Sequence, residues 1–187
     1  MTQAAEALIE LFAARGAAAY GGERVSQEAH ALQAATLAHS QGAAEALIVA
    51  SLFHDVGHLV HDRGDDIAER GIDARHEAIG AVRLAKYFGA AVVEPVRLHV
   101  AAKRFLCVAD RGYYAALSPG SKRSLALQGG AFDAAEAARF ETLPFAQDAT
   151  RLRRWDDLAK VPGVTTRSLG DFGPTIERVV TAHPPVG

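Results

Sequence analysis

Any fold for this chain has to accommodate the adjacent pair His54-Asp55 together with His30, His76, His99 and Asp156. Four imidazoles and two carboxylates exceed the ligand capacity one metal ion normally uses. Five of these six positions fall in segments that read as separate helices, so the natural geometry is convergence on one bundle interior, where side chains from facing helices all point inward. Burying so many titratable groups without a metal would be costly. Imidazole and carboxylate donors suit iron, manganese, nickel or zinc, and the lack of thiolate argues against copper(I) and iron–sulfur chemistry. The expectation is an all-α protein holding two transition metals.

The helices are legible from apolar spacing and caps. Residues 3–15 carry Ala5, Leu8, Ile9 and Phe12 at helical spacing, and Gly16 ends them. Ser26 caps a helix running to about His39. Residues 43–55 are apolar nearly all round, which marks a central helix. From Gly57 through the charged stretch His61 to Arg70 the chain reads as an exposed loop. Asp73 is placed to cap a helix over 75–88, and residues 91–111 form the longest helix, with Pro95 in its first turn. Short helices over 112–117 and 121–128 follow. Asp133 caps the next, a helix spans 145–159, and Asp171 with Pro174 suggests a last one to about His183. No segment alternates with period two, so no sheet is expected.

Length and charge narrow the function classes. A chain of 187 residues fits one domain over 1–187, long enough to bury roughly 70% of its unfolded surface. Twenty Lys and Arg against twenty-two Asp and Glu give a net charge of −2, which predicts neither a nucleic-acid footprint nor a polybasic membrane patch. The apolar run 43–53 is too short to span a bilayer and is broken by Glu45; with one cysteine, Cys107, no intrachain disulfide forms. No signal peptide is read at Met1, and a cytoplasmic location fits. His39 and His183 sit at expected helix ends and read as structural, His61 as solvated loop, and Trp155 as core. His58, just past the doublet, suits substrate contact better than metal binding.

At His30…His54-Asp55…Asp156 the chain resembles the HD-domain superfamily of metal-dependent phosphohydrolases, and His76 and His99 extend the pattern to its two-metal branch. Tyr20-Gly21-Gly22-Glu23, Ser26-Gln27-Glu28-Ala29-His30, His54-Asp55-Val56-Gly57-His58, His99 through Leu106, Leu117-Ser118 through Leu125 and Gln128-Gly129-Gly130 narrow it further. Together they resemble the mixed-valent diiron oxygenases that break the carbon–phosphorus bond of 1-hydroxyalkylphosphonates, over about residues 8–160.

That resemblance implies two iron ions, Fe(II)/Fe(III), bound by His30, His54, His76, His99 and Asp156 with Asp55 bridging, and O2 as co-substrate. Tyr20 would occupy an open iron position until substrate arrives, and Glu23 would then meet a cationic nitrogen on the substrate. Lys103, His58, Ser121 and Arg153 fall where the family binds phosphonate oxygens; Ser124 and Arg154 could exchange with the last two on a small shift of register. The implied substrate is a 1-hydroxy-2-aminoethylphosphonate, amino or trimethylammonio, giving phosphate and glycine or glycine betaine, with an upstream hydroxylase as pathway partner. Competing readings are a phosphohydrolase acting on a nucleotide or other phosphate ester, an oxygenase of a cyclic polyol, and a metal-binding protein without catalysis. The displaceable Tyr20 and Glu23 favour the oxygenase over water-activating chemistry, and Lys103 favours a phosphonate over a polyol.

Overall fold

The computed structural model describes residues 3–20, 23–60 and 75–180, with side chains from Glu6 onward. Among them lie eleven helices: α1 (Gln3–Arg15), α2 (Gln27–Ser40), α3 (Glu45–Phe53), α4 (Val56–Val60), α5 (His76–Leu84), α6 (Ala90–Ala109), α7 (Tyr113–Ala116), α8 (Pro119–Leu127), α9 (Ala134–Glu141), α10 (Ala146–Leu158) and α11 (Leu169–Val179). Isolated bridges at Ala19–Ser26 and Phe88–Val180 are the extent of β pairing there, so the all-α expectation holds.

α3 is central because it has no polar face to offer water: Leu47 through Phe53 are all buried. Around it pack α2, α6, α10 and α11. The α2 side of this contact is built from Ala31, Ala34, Ala35 and Ala38, whose small side chains let the two backbones approach closely. Larger residues fill the remaining volume, with Phe53 edge-on to Phe12 at 5.6 Å and Trp155 buried, its indole N–H donating to Gln41 Oε1 at 3.0 Å.

Caps set several boundaries. Ser26 accepts from the Ala29 amide at 3.1 Å, and Asp133 forms a reciprocal capping box with Glu136. α11 begins two residues before Asp171, because Ser168 is the cap and Asp171 completes its box from the third helical position. α6 begins at Ala90, so Pro95 lies in the second turn rather than the first, and the Ala91 carbonyl loses its usual helical donor. The expected cap Asp73, and His61 and His183, lie outside the described residues.

A further expectation is corrected. Gly57 does not open a loop but sits inside α4, with Val56 and Leu59 buried on either side. The reason is steric: a Cβ at Gly57 would stand 2.0 Å from the His76 carbonyl oxygen, and one at Gly80 would stand 3.3 Å from the Gly57 nitrogen. Two glycines let α4 and α5 cross backbone to backbone, which brings His76 beside Asp55. Gly57→Ala is therefore expected to destabilise the fold by about 2–3 kcal/mol, read in urea unfolding, and to weaken metal retention by displacing α5.

Candidate metal centre

Six side chains converge from five places: His30 on α2, His54 and Asp55 in the turn after α3, His76 at the start of α5, His99 on α6 and Asp156 on α10. All six are buried. The tautomers follow from the outer hydrogen bonds. His30 Nδ1 lies 2.8 Å from the Ala159 carbonyl, His54 Nδ1 2.8 Å from that of Ser51, and His99 Nδ1 2.7 Å from that of Val96. A carbonyl only accepts, so each Nδ1 carries the proton and each Nε2 turns a lone pair inward. His76 Nδ1 faces the Glu77 carboxylate at 3.7 Å, which favours the same tautomer.

Those inward nitrogens meet in pairs, His30 with His54 at 3.1 Å and His76 with His99 at 3.0 Å. At the first pair two lone pairs face each other and repel, a conflict that a cation removes; at the second a proton on His76 can occupy that place until a metal enters. Donors on one ion at bonds of about 2.1 Å stand about 3.0–3.4 Å apart, which is the spacing found. Asp55 serves both pairs. Its Oδ2 is 3.4 Å from His54 Nε2 and 3.6 Å from His30 Nε2, and its Oδ1 is 3.2 Å from His76 Nε2 and 3.6 Å from His99 Nε2. Asp156 closes the first group, with Oδ1 3.4 Å from His30 Nε2 and Oδ2 3.8 Å from His54 Nε2. His30-His54-Asp55 and Asp55-His76-His99 are thus two sets able to hold a metal, joined by one carboxylate.

Protonation agrees with ligation. Burial pushes the His54 and His99 imidazoles down, leaving both neutral at pH 7. Burial opposes the Asp55 charge, yet His54 and His76 around it hold its carboxyl well below the usual range. Asp156, also buried, is held down chiefly by the Arg153 guanidinium beside it. Burial lowers His76 as well, but its bond to Asp55 outweighs that and raises it. Metal entry at the second set therefore displaces a proton.

Tyr20 comes from a turn closed by Tyr20 N–H donating to the Val25 carbonyl at 3.0 Å and Glu23 N–H donating to the Tyr20 carbonyl at 2.7 Å. Its ring stacks on His30 at 3.8 Å and its hydroxyl donates to Asp156 Oδ1 at 3.4 Å. Burial and the Asp156 and Asp55 charges push the phenol well above its ordinary value. Glu23 accepts from Ser118 Oγ at 2.5 Å, the same hydroxyl that caps α8.

The anion-binding candidates border both ligand sets, Arg153 beside Asp156 and His58 beside His76. Lys103, one turn after His99, is buried and donates to Ser124 Oγ at 2.8 Å. Ser121 is taken by Lys160, whose Nζ donates to its Oγ at 2.8 Å, so α8 presents one serine to each lysine. His58 stacks on His76 at 4.1 Å. Of the arginine cluster only Arg153 turns inward: Nη1 is 2.6 Å from Asp156 Oδ2, Nη2 pairs with Asp157, and Nε donates to the Tyr113 hydroxyl at 3.1 Å. Arg154 is exposed and pairs with Asp110, and Arg151 lies over Trp155. The sequence reading missed Lys160, Ser118, Tyr113 and Asp157. A signal existed for two of these in the run Arg153, Asp156, Asp157, Lys160, where opposite charges recur at three- and four-residue spacing.

Burial, with Arg153 close by, holds the Lys103 ammonium down to about 7. At pH 8 most of it is neutral, and a dianion bound beside it would restore the charged form. Phosphonate binding at pH 8 is expected to take up close to one proton, read as a buffer-dependent calorimetric enthalpy. Lys103→Arg, charged throughout, is expected to remove that uptake.

A helical bundle that gathers four imidazoles and two carboxylates, a His-Asp doublet among them, defines a metal-site protein of the HD class. Residues 28–126 match the HD domain model. The chain is 45% identical over 171 residues, 91% of its length and 85% of the relative's, to a hydroxymethylphosphonate dioxygenase of Gimesia maris. It is 38% identical over 173 residues, 92% of its length and 88% of the relative's, to a [1-hydroxy-2-(trimethylamino)ethyl]phosphonate dioxygenase (glycine-betaine-forming) of Leisingera caerulea. The chain belongs to the HD-domain family, and within it to the oxygenase branch that acts in phosphonate catabolism. No helix among the described residues is long and apolar enough to cross a membrane.

Proposed function

We propose that this protein uses O2 to cleave the carbon–phosphorus bond of a 1-hydroxyalkylphosphonate, releasing phosphate and a carboxylate. The single observation that carries the reading is the pairing of two ligand sets through Asp55, with the Lys103–Arg153 wall beside them. Iron fits the nitrogen and oxygen donors: His30, His54 and Asp156 would hold one ion and His76 and His99 another, and Asp55 would offer an oxygen to each set. Two irons would supply the electron transfer to O2 that carbon oxidation requires. The reaction balances as R–CH(OH)–PO3 dianion plus O2 giving R–COO− plus H2PO4−. The C–H and C–P bonds break and surrender four electrons, and O2 accepts them.

The chain's own residues bind and orient. Lys103 and Arg153 neutralise the phosphonate, His58 and Ser121 complete its hydrogen bonds, and together they hold C1 toward the paired ligand sets. Tyr20, stacked on His30, covers the site until substrate displaces it. The relatives' named substrates share the 1-hydroxyphosphonate head and differ in what C1 carries, hydrogen or a trimethylaminomethyl group. A substrate already hydroxylated at C1 requires an upstream hydroxylase.

The test is phosphate release from hydroxymethylphosphonate and from 1-hydroxy-2-aminoethylphosphonate by iron-loaded protein, in air and under nitrogen. Strictly oxygen-dependent release from at least one is expected. Release from phosphate esters under nitrogen, with neither phosphonate cleaved, would establish a phosphohydrolase instead.

A further inference from the structure

We propose that Lys160 is the specificity-determining residue of this site, and that it makes the pocket select a 1-hydroxyphosphonate with no cationic group on C1, hydroxymethylphosphonate being the simplest. The inference rests on the carbon–phosphorus reading above and names its substrate class. It departs from the expectation that Glu23 awaits a substrate ammonium. That expectation required a carboxylate without a protein cation beside it. In the fold, Glu23 Oε1 accepts from Ser118 Oγ at 2.5 Å and lies 3.9 Å from Lys160 Nζ. A trimethylammonium brought to Glu23 would meet the like charge of Lys160 already there, whereas a hydrogen on C1 asks nothing of either group.

Lys160 is held in this position rather than resting there by chance. The Ala159 carbonyl on one side receives His30 Nδ1 at 2.8 Å. On the other, Val161 is gripped twice by Gln33, whose amide donates to the Val161 carbonyl at 3.0 Å and accepts from its N–H at 3.0 Å. With the backbone fixed against α2, the ammonium is directed at Ser121 Oγ (2.8 Å) and Asp157 Oδ1 (4.0 Å) and over the Tyr20 ring (5.8 Å). The side chain is 11% exposed, so it has little room to swing into solvent when a cationic substrate enters. Lys160 thus links the Tyr20–Glu23 turn, α8 and the end of α10.

The experiment compares hydroxymethylphosphonate with 1-hydroxy-2-(trimethylammonio)ethylphosphonate, as kcat/KM in air and as Kd by calorimetry under nitrogen, on iron-loaded wild type, Lys160→Met and Lys160→Arg. Wild type is expected to favour hydroxymethylphosphonate by at least about tenfold, and Lys160→Met to move that ratio toward the cationic compound by roughly 10–100-fold in both readouts. Lys160→Arg, which keeps the charge, is expected to stay near wild type. Lys160→Gln, able to retain the Ser121 hydrogen bond, supplies a second neutral variant should the methionine form not fold. A ratio unmoved in the neutral variants while both phosphonates are still cleaved would overturn the role of Lys160, as would a wild type that prefers the trimethylammonio compound. A wild type that cleaves neither phosphonate but hydrolyses phosphate esters would overturn the carbon–phosphorus reading, and this inference with it.

Discussion

Asp55→Ala is expected to lower phosphate release by at least about 10³-fold, with bound iron falling to at most about one ion per chain. The magnitude follows from the geometry. Each of the other ligands belongs to one side of the site, but Asp55 turns one oxygen to each histidine pair. Its loss would therefore remove one donor from each ligand set and the negative charge that the two sets share. The site is buried, Asp55 being 7% exposed and the four histidines at most 8%, so the lost carboxylate is not replaced by a neighbouring exposed side chain. Asp55→Asn is the sharper variant: it keeps the shape and one oxygen but not the charge, and is expected to resemble alanine in metal content more than wild type. Atomic absorption on protein expressed with ample iron reads the metal, and phosphate release reads the chemistry. A variant holding its full iron and losing less than about tenfold in rate would contradict the bridging role.

The second large effect is on stability. Arg153→Met is expected to destabilise the metal-free protein by about 3–5 kcal/mol, because it leaves charged partners buried without their cation. Arg153 is 4% exposed, and its fork engages Asp156 at 2.6 Å and Asp157, while its Nε meets the Tyr113 hydroxyl. At about 2–4 °C per kcal/mol for a chain of this size, Tm should fall by roughly 6–20 °C. Working without metal keeps ligand stabilisation out of the comparison. The same change acts on chemistry. Among the groups that hold Asp156 below the usual carboxylate range Arg153 is foremost, so its loss is expected to move the Asp156 carboxyl upward and weaken metal retention at that set. Arg153→Lys returns a charge without the planar fork and should recover only part of the loss. A methionine variant as stable as wild type would show that the three acidic and phenolic partners do not depend on this guanidinium.

How much of this was legible beforehand depended on whether the controlling physics was local. The central helix was, because Leu47 through Phe53 offer no polar face, and so was the convergence of ligands, because the four histidines stand in, or one residue past, separate helices. Gly57 misled because glycine by type breaks helices, whereas here its missing side chain admits the His76 carbonyl, a contact with a residue nineteen positions away. Asp171 reads as a cap by type but acts from the third helical position, since Ser168 precedes it with the same capacity. The serines of α8 could not be assigned from spacing, because Ser121 and Ser124 lie one turn apart and different lysines claim them. Glu23 was the least legible. Its meaning depends on Lys160, 137 positions further on and held in place by α2.

Everything proposed for the chemistry depends on two ions sharing one carboxylate. Anomalous diffraction at the iron edge from crystals of iron-loaded protein measures that directly. Two peaks about 3.5–4 Å apart, with Asp55 between them and one histidine pair on each, are expected. A single peak at full iron loading, or a second one away from His76 and His99, would contradict the account.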